Sequence, residues 1–210
     1  ELIRVRLDVV NRKLSEAQLV AVSKATDIES IEFAMEAGQT AFGENRIGDL
    51  EEKAQFLKDT PVQWHFIGNL QSNKINRLLK IPNLKFIHSI DSIKTLQALY
   101  KKEEHFTGES LGIFLQVNTS GEDEKQGFSS VNYDDIAAAA NLISNHRDSK
   151  IFLAGLMTMG KIRTDDFEKD ARACFKRLAR VRSTLKKDFE LPPMKLSMGM
   201  SSDFEIAIEE

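Results

Sequence analysis

Two hydrophobic periodicities alternate along the chain, and each predicts a different kind of element. Short apolar runs rich in β-branched residues predict buried strands. Seven such runs occur, at residues 19–24, 40–45, 62–70, 84–91, 111–120, 151–160 and 195–200. Between them, apolar residues recur at every third or fourth position, which is typical of amphipathic helices that pack one face against a sheet.

Residues that commonly begin and end helices lie between the predicted elements. Asp27, Ser72, Ser92 and Ser202 each occupy a position where an N-cap is expected, because a short polar side chain there can accept a hydrogen bond from a backbone N–H. Gly38 follows the helical segment after the first strand, where glycine is favoured because it readily adopts a positive φ angle.

The alternation of strands and helices predicts a parallel sheet in an α/β fold. A TIM (β/α)8 barrel has this rhythm, but it needs one more strand and typically about 250 residues, whereas the chain has 210. An open, doubly wound sheet can use seven strands as they stand. The rhythm by itself leaves both architectures open.

Composition and charge reduce the number of possible protein classes. The chain has 41% apolar and 29% charged residues and a net charge of −3, as expected for one soluble globular domain over residues 1–210. No apolar run approaches the ~20 residues of a membrane-spanning helix, and no basic block favours nucleic acid. We therefore expect neither a membrane nor a nucleic-acid partner.

Cysteine and histidine usage argues against disulfides and metal sites. Cys174 is the single cysteine, so it cannot form an internal disulfide, and this usage fits the reducing environment of the cytoplasm. The four histidines lack the spacing of metal ligands, so no metal site is predicted. His65 and His88 lie in predicted strands, where each either contacts a ligand or is a hydrogen-bonded histidine of the barrel.

Polar side chains cluster where the predicted strands end, which is where both architectures bind ligands. Lys24 ends the first strand, and strand alternation places it on the same face as Val20 and Val22. If that face is a barrel interior, partial desolvation favours the uncharged amine, which is the nucleophile in Schiff-base formation. The alternative is a solvated lysine that simply follows a strand.

A second candidate site lies between Ser197 and Asp203, where hydroxyl-bearing residues surround Gly199. A strand that leads through a small-residue turn into a helix offers backbone N–H groups to an anion. The alternative is that Ser202 merely caps the helix. Taken together with Lys24, this segment describes a site for a phosphate-bearing aldehyde, in which one group condenses with the aldehyde and another holds the phosphate.

Eight segments, taken in order, resemble the family of pyridoxal 5′-phosphate (PLP) homeostasis proteins. They read LVAVSK at 19–24, FGENR at 42–46, WHFIGNLQSNK at 64–74, HSIDS at 88–92, QVN at 116–118, GLMTM at 155–159, LSMGMS at 196–201 and DFE at 203–205. Each segment is a weak signal alone, and their order across nearly the whole chain makes the resemblance specific.

The resemblance implies a fold-type III PLP barrel, similar to the N-terminal domain of bacterial alanine racemases. It implies PLP held as a Schiff base on Lys24, with Asn45 lining the cofactor and His65 near the pocket. The residues that match the phosphate-binding turn are Ser197, Met198, Gly199 and Ser201. No catalytic residue is assigned, since these proteins are regarded as PLP carriers or homeostasis factors without an established turnover reaction.

The resemblance also implies what should follow in the chain. The family continues after residues 206–210 into a final strand and a closing helix, which would supply further phosphate donors and an arginine. We therefore expect the eighth strand and the last helix of the barrel to be absent here, which leaves a single domain that is incomplete at its C-terminal end.

Three functions follow from these observations. The first is an intracellular PLP-binding homeostasis protein, a monomer or weak dimer with apo-PLP enzymes as recipients. The second is a PLP-dependent amino-acid racemase, which needs an acid or base on each face of the cofactor; alanine racemases take one from a tyrosine in a second domain, whereas Tyr100 and Tyr133 lie in or near predicted helices. The third is a barrel enzyme that does not use PLP.

Overall fold

Parallel strands and helices alternate in the structure, a computed structural model that describes residues 1–121, 126–161 and 164–210. The strands are β1 (Ala21–Val22), β2 (Ala41–Glu44), β3 (Gln63–Phe66), β4 (Leu84–Ile90), β5 (Leu111–Asn118), β6 (Phe128–Ser129), β7 (Ile151–Met157) and β8 (Lys195–Ser197). The helices are α1 (Leu2–Asn11), α2 (Ile28–Glu36), α3 (Ile47–Phe56), α4 (Ile75–Leu79), α5 (Ile93–Tyr100), α6 (Asp134–Ser144), α7 (Phe167–Asp188) and α8 (Phe204–Glu209). Short 3-10 turns span Ser72–Lys74 and Glu103–His105.

The strands follow one another in the sheet in the order of the chain. The order is β1-β2-β3-β4-β5-β7-β8, with β6 paired to the end of β5, and the pairings are parallel. A doubly wound sheet reverses its strand order at a switch point, and this order has no such reversal. Since parallel crossovers have one hand, the helices all pack on the same face of the sheet.

Contacts across the sheet show that it curves into an α/β half-barrel. His88 of β4 and Ser197 of β8 share a hydrogen bond of 2.7 Å, although β5 and β7 lie between their strands in the sheet. Before β1, Lys13 forms a 2.6 Å ion pair with Glu205 of α8. This curvature favours the barrel over the open sheet. Within the described residues, β1 and β8 lie at the two ends of the sheet order, and the closing strand expected beyond residue 210 stays a prediction.

Most of the hydrophobic core lies between the sheet and the helices. Trp64, Phe66 and Ile87 are fully buried there. A much smaller apolar group lies on the concave face, where the rings of Phe86 and Phe114 meet. Because the outer layer holds most of the apolar surface, the concave face remains available for polar side chains.

The observed strands are shorter than the apolar runs that predicted them. Residues 62–70 contain only Gln63–Phe66 in regular pairing, and residues 195–200 contain only Lys195–Ser197. The chain leaves the sheet at the carboxyl ends of the strands, where polar residues and glycines form turns instead. Strand β6 was not predicted, because two residues are too few to show a periodicity.

The predicted helix caps are confirmed in three of five places. Asp27 accepts a hydrogen bond from the N–H of Ser30, and Ser92 accepts one from Thr95. Gly38 has a φ of +93° and follows Ala37, the C-cap of α2.

The predicted caps at Ser72 and Ser202 are not found. Ser72 begins a 3-10 turn in which no side chain caps the backbone. The prediction for Ser202 is wrong, because α8 begins at Phe204 and Asp203 occupies the cap position. A serine followed directly by an aspartate leaves the cap ambiguous by one residue when only the sequence is known.

The helices are too short or too polar for a bilayer. No helix among the described residues has the length and apolar character needed to cross a membrane.

Gly68 allows the ends of β2 and β3 to approach each other. A Cβ atom at this position would overlap the backbone carbonyl of Asn45. We therefore expect Gly68→Ala to lower the free energy of unfolding by about 1–3 kcal/mol, since backbone cannot move aside as a flexible side chain can. Urea denaturation measures the change.

The matched control is Gly48→Ala in α3, where the nearest atom to an added Cβ is an Arg77 nitrogen at 4.0 Å. This change should raise the free energy of unfolding by about 0.5 kcal/mol, because alanine is the better helix former. Similar effects of the two substitutions would contradict the close approach at Gly68.

Candidate functional site

Strand alternation places Lys24 on the concave face of the half-barrel, at its carboxyl rim. The side chain of Ser23 points the other way, into the helix layer, where its Oγ donates to Glu44 Oε1 at 2.7 Å. A Cβ on Gly43 would lie 3.3 Å and 3.5 Å from methyl groups of Val20 and Val22. Val20, Val22 and the position of Lys24 therefore share the inner face, as the sequence predicted.

The side chain of Lys24 is exposed. The partial desolvation expected for a lysine inside a barrel is not found, because β1 ends the sheet order and its inner face is open: Val22 is itself 50% exposed. Lys24 lies in a tight turn in which Thr26 N–H donates to the carbonyl of Ser23 and Ala25 adopts a φ of +58°. The turn fixes the backbone of Lys24, while the side-chain amine stays accessible to solvent.

A buried ion pair fixes the backbone beside Lys24. Glu44 is fully buried, and its Oε1 lies 2.6 Å from the ammonium of Lys53 on α3. The same ammonium donates to the carbonyl of Ser23 at 2.8 Å. We call Ser23, Glu44 and Lys53 the rim clamp, since together they join α3 to the carboxyl ends of β1 and β2.

The sequence does not predict the rim clamp. Glu44 lies at the end of a predicted strand and Lys53 lies in a helical segment, where a charged side chain usually faces water. The available signal was a glutamate inside an otherwise apolar strand, which requires a buried partner. Only the packing of α3 on the sheet shows that Lys53 is that partner.

Asn45 lies beside Lys24 on the neighbouring strand end. Val22 pairs with Gly43 in the β1–β2 register, and Lys24 and Asn45 each follow two residues later. Asn45 is exposed, and its backbone packs against Gly68. Lys24 and Asn45 therefore form one side of the rim.

Two histidines and a serine form a hydrogen-bonded chain across the concave face. His65 Nδ1 lies 2.8 Å from His88 Nε2, and His88 Nδ1 lies 2.7 Å from Ser197 Oγ. Both histidines are buried, and His65 Nε2 has no hydrogen-bond partner among the described residues. This relay, as we name His65, His88 and Ser197, joins β3, β4 and β8.

Both histidines of the relay are neutral at pH 7. Burial lowers the pKa of His65 to about 4, with a smaller contribution from the positive charge of Lys195. Burial also lowers the pKa of His88 to about 3, with His65 as the second cause. The rings are held by stacking, His65 on Phe86 at 4.6 Å and His88 on Phe114 at 4.3 Å between centroids.

The turn after β8 contains the remaining predicted residues. Gly199 has a φ of +88°, and a Cβ there would lie 2.9 Å from both Phe204 Cα and the Ala207 side chain. Glycine is therefore required by conformation and by space. Met198 is half-buried and Ser201 is exposed, so the turn presents both its backbone and the Ser201 hydroxyl near the rim.

A buried carboxylate changes the electrostatics of this turn. Asp203 is 2% exposed, and its Oδ1 accepts a 2.5 Å hydrogen bond from the N–H of Met200. The sequence predicted free N–H groups at this helix start, whereas the one at Met200 is already bonded to an acid. The N–H groups of Asp203 and Phe204 donate to the carbonyl of Met200, so the side-chain donors that this turn offers to an anion are the hydroxyls of Ser197 and Ser201.

The structure therefore brings the predicted residues together in two groups. Lys24 and Asn45 form the first, and His65 with Ser197 and the turn after β8 forms the second. Within the described part of the chain, the hydrogen bond of Ser197 runs to His88 rather than to Lys24. A molecule that uses both groups needs one end that reacts with an amine and another that accepts hydrogen bonds. The described residues include no group of three or more metal-binding side chains.

Comparison with known proteins identifies relatives over nearly the whole chain. The pyridoxal phosphate homeostasis protein of Schizosaccharomyces pombe is 35% identical over 210 residues, which are 97% of this chain and 84% of the relative. The protein of the same name from Helicobacter pylori strain 26695 is 37% identical over 218 residues, covering 98% of this chain and 91% of the relative. No family model matches the chain.

Solved structures show the same architecture. PipY of Synechococcus elongatus PCC7942, solved with PLP bound, superposes with a TM-score of 0.85 at 30% identity, covering 99% of this chain and 93% of PipY. Alanine racemase from Corynebacterium glutamicum superposes with a TM-score of 0.72 at 15% identity, over 96% of this chain and 55% of the racemase. The second likeness shows a shared fold only.

The rim clamp should contribute strongly to stability. Lys53→Met leaves the buried charge of Glu44 without a partner, so we expect the free energy of unfolding to fall by about 3–5 kcal/mol. Adding Glu44→Gln removes that charge and should recover part of the loss. Lys58→Met, at an exposed lysine just after the same helix, is the control and should change stability by less than about 0.5 kcal/mol. A loss in Lys53→Met no larger than in the control would contradict the clamp.

Acid should destabilise the fold through the relay. The histidines of the unfolded chain have the ordinary pKa of 6.5, while the folded values are about 4 for His65 and about 3 for His88. Below pH 6.5 the unfolded state therefore binds more protons, so the free energy of unfolding falls as the pH drops from 6.5 towards 4, by up to about 1.4 kcal/mol per pH unit for each histidine. Urea titrations between pH 4 and 8 should show a smaller slope in His88→Phe, and an unchanged slope would contradict the assignment.

Proposed function

The chain belongs to the family of pyridoxal phosphate homeostasis proteins, given its identity of 35% and 37% to members over nearly its whole length, and we propose from this premise that it binds PLP and serves in the homeostasis of that cofactor. PipY, a protein of the same fold, is described with PLP bound. The proposal includes a fold-type III barrel, which a further strand between β8 and β1 closes. It is supported by one observation: the exposed Lys24, which has no hydrogen bond or ion pair to another described residue, and the hydroxyl of Ser197 both lie on the concave side of the half-barrel.

The residues of the concave face fit PLP chemically. PLP supplies an aldehyde that an uncharged amine can attack and a phosphate that accepts hydrogen bonds. Lys24 is the amine at the rim, and among the described residues it has no hydrogen bond or ion pair to break. On the other side of the face, Ser197 offers a hydroxyl whose other neighbour is His88 at 2.7 Å.

Lys24 is the residue that we propose condenses with the aldehyde. Its backbone is fixed by the rim clamp and by the turn at Ala25, so the attachment point is held while the side chain remains free to move. Asn45 on the adjacent strand end is placed to contact the same ligand.

The phosphate is the group that we propose binds at the turn after β8. Ser197 and Ser201 supply hydroxyls, and the backbone of Met198 and Gly199 lies between them in the sequence. Gly199 permits the turn to pack closely on α8, where a larger residue would displace it. His65 lies near the pocket and acts through His88 on Ser197 rather than on the ligand directly.

A binding role is supported over a racemase role by the positions of the two tyrosines. Tyr100 is stacked on His146 in the helix layer, with ring centroids 4.1 Å apart. Tyr133 donates its hydroxyl proton to Asp188, at 3.0 Å, also in the helix layer. Neither belongs to the concave face, where an acid or base for racemisation would have to act. We propose apo-PLP enzymes as the recipients and the cytoplasm as the location.

Borohydride trapping tests the role of Lys24. The purified protein is incubated with PLP, reduced, digested and mapped by mass spectrometry, because reduction converts a Schiff base into a stable secondary amine. We expect the mark on the peptide containing Lys24, together with the visible absorption band of a protonated Schiff base before reduction. Lys24→Ala should abolish both signals, and Lys94→Ala, which removes an exposed lysine of α5, should leave both unchanged.

A mark that remains in Lys24→Ala at full yield would overturn the assignment of Lys24. Incubation of the PLP-loaded protein with L-amino acids in D₂O separates binding from racemisation. Rapid deuterium incorporation at the α-carbon together with formation of the D-isomer would favour the racemase over the homeostasis role. We expect neither.

A further inference from the structure

The relay of His65, His88 and Ser197 ends at a hydroxyl of the proposed phosphate site. We propose that His88, with its tautomer set by His65, is a positioning residue that makes Ser197 present its hydroxyl proton to the phosphate of the ligand. This inference rests on the proposed function, since it concerns the same site. It gives His88 a role in ligand binding although its ring nitrogens bond to His65 and Ser197 rather than to the ligand.

The number of protons in the relay limits its possible states. Each histidine is neutral and so carries one N–H, and each hydrogen bond needs one proton between its two heavy atoms. Only two arrangements satisfy both bonds, at 2.8 Å between the rings and 2.7 Å to the serine. In the outward arrangement the protons point from His65 towards Ser197, and in the inward arrangement they point from Ser197 towards His65.

The outward arrangement has His65 Nδ1–H donating to His88 Nε2, and His88 Nδ1–H donating to Ser197 Oγ. The hydroxyl proton of Ser197 is then free to point away from the relay. In the inward arrangement Ser197 donates its proton to His88 Nδ1 and presents lone pairs only. A phosphate oxygen is an acceptor, so it binds well to the outward arrangement and is repelled by the inward one.

The surroundings of His65 favour the outward arrangement. His65 Nε2 is buried without a hydrogen-bond partner among the described residues, and the positive charge of Lys195 acts on this ring. The outward arrangement leaves a lone pair on Nε2, which attracts a positive charge, whereas the inward arrangement leaves an N–H there, which the charge repels.

Packing keeps the two imidazole rings from flipping, which would change the positions of their nitrogen atoms. His65 and Phe86 are nearly parallel at an interplanar angle of 24°, and His88 and Phe114 at 18°. A ring flip of His88 would remove Nδ1 from Ser197 and Nε2 from His65 at once. The relay therefore has two proton arrangements on one heavy-atom framework, and the ligand selects between them.

Nuclear magnetic resonance of the imidazole nitrogens tests the inference on the unaltered protein. The chain has four histidines, so single substitutions assign every signal. With PLP bound we expect both His65 and His88 to carry the proton on Nδ1. His146 is an internal reference, because its Nδ1 lies 2.8 Å from the carbonyl of Leu142 and must carry a proton to donate there.

Variants of His88 give a second, independent readout. His88→Asn keeps an N–H donor near the place of Nδ1, and His88→Phe removes it while preserving a ring. We expect His88→Phe to weaken PLP binding about 10-fold, because Ser197 loses the hydrogen bond that directs its hydroxyl proton towards the phosphate. Binding of pyridoxal, which lacks the phosphate, should change less than about 2-fold by the same reasoning. His88→Asn should recover most of the PLP affinity.

Two results would overturn the inference. One is a PLP-bound protein in which His88 carries its proton on Nε2. The other is an equal loss of PLP and pyridoxal affinity in His88→Phe, which would reduce His88 to a packing role. A protein that fails to bind PLP at all would instead refute the proposed function, so the two failures are distinguishable. If His88→Phe does not fold, the measurement on the unaltered protein still decides.

Discussion

The strands of the sheet are parallel and lie side by side in the order of the chain, and the rest of the structure depends on this arrangement. When successive parallel strands lie side by side without a reversal of order, every crossover helix covers the same face of the sheet. The opposite face receives no helix and can close only by curving on itself. Here that curvature brings β4 within hydrogen-bonding distance of β8, so side chains rather than a second helix layer fill the concave face.

Two clusters of buried polar side chains, the rim clamp and the relay, lie on opposite faces of the sheet and differ in charge. The rim clamp lies on the helix side and buries a full ion pair, where Lys53 compensates the charge of Glu44 at 2.6 Å. The relay lies on the concave side and avoids charge, because burial lowers the pKa of both histidines and keeps them neutral. The clamp therefore fixes backbone beside Lys24, while the relay connects His65 to Ser197 through two hydrogen bonds across the concave face.

Lys24 stands at the carboxyl rim of the half-barrel with its side chain exposed. Alanine racemase from Corynebacterium glutamicum shares the fold, and the match covers 55% of that chain. On the half-barrel, the amine stands at an open rim beside Asn45.

The sequence by itself determined the local features of this protein. Its periodicities predicted the parallel α/β architecture, because alternating and helical burial leave different patterns in the chain, and the ordered motifs identified the family. Asp27 and Ser92 were recognisable as caps because a cap bonds to backbone three residues away. The partnership of Glu44 with Lys53, the exposure of Lys24 and the relay from His65 to Ser197 were decided only by the tertiary structure. Each joins or separates residues through the curvature of the sheet and the docking of a helix, and no periodicity along the chain encodes those distances.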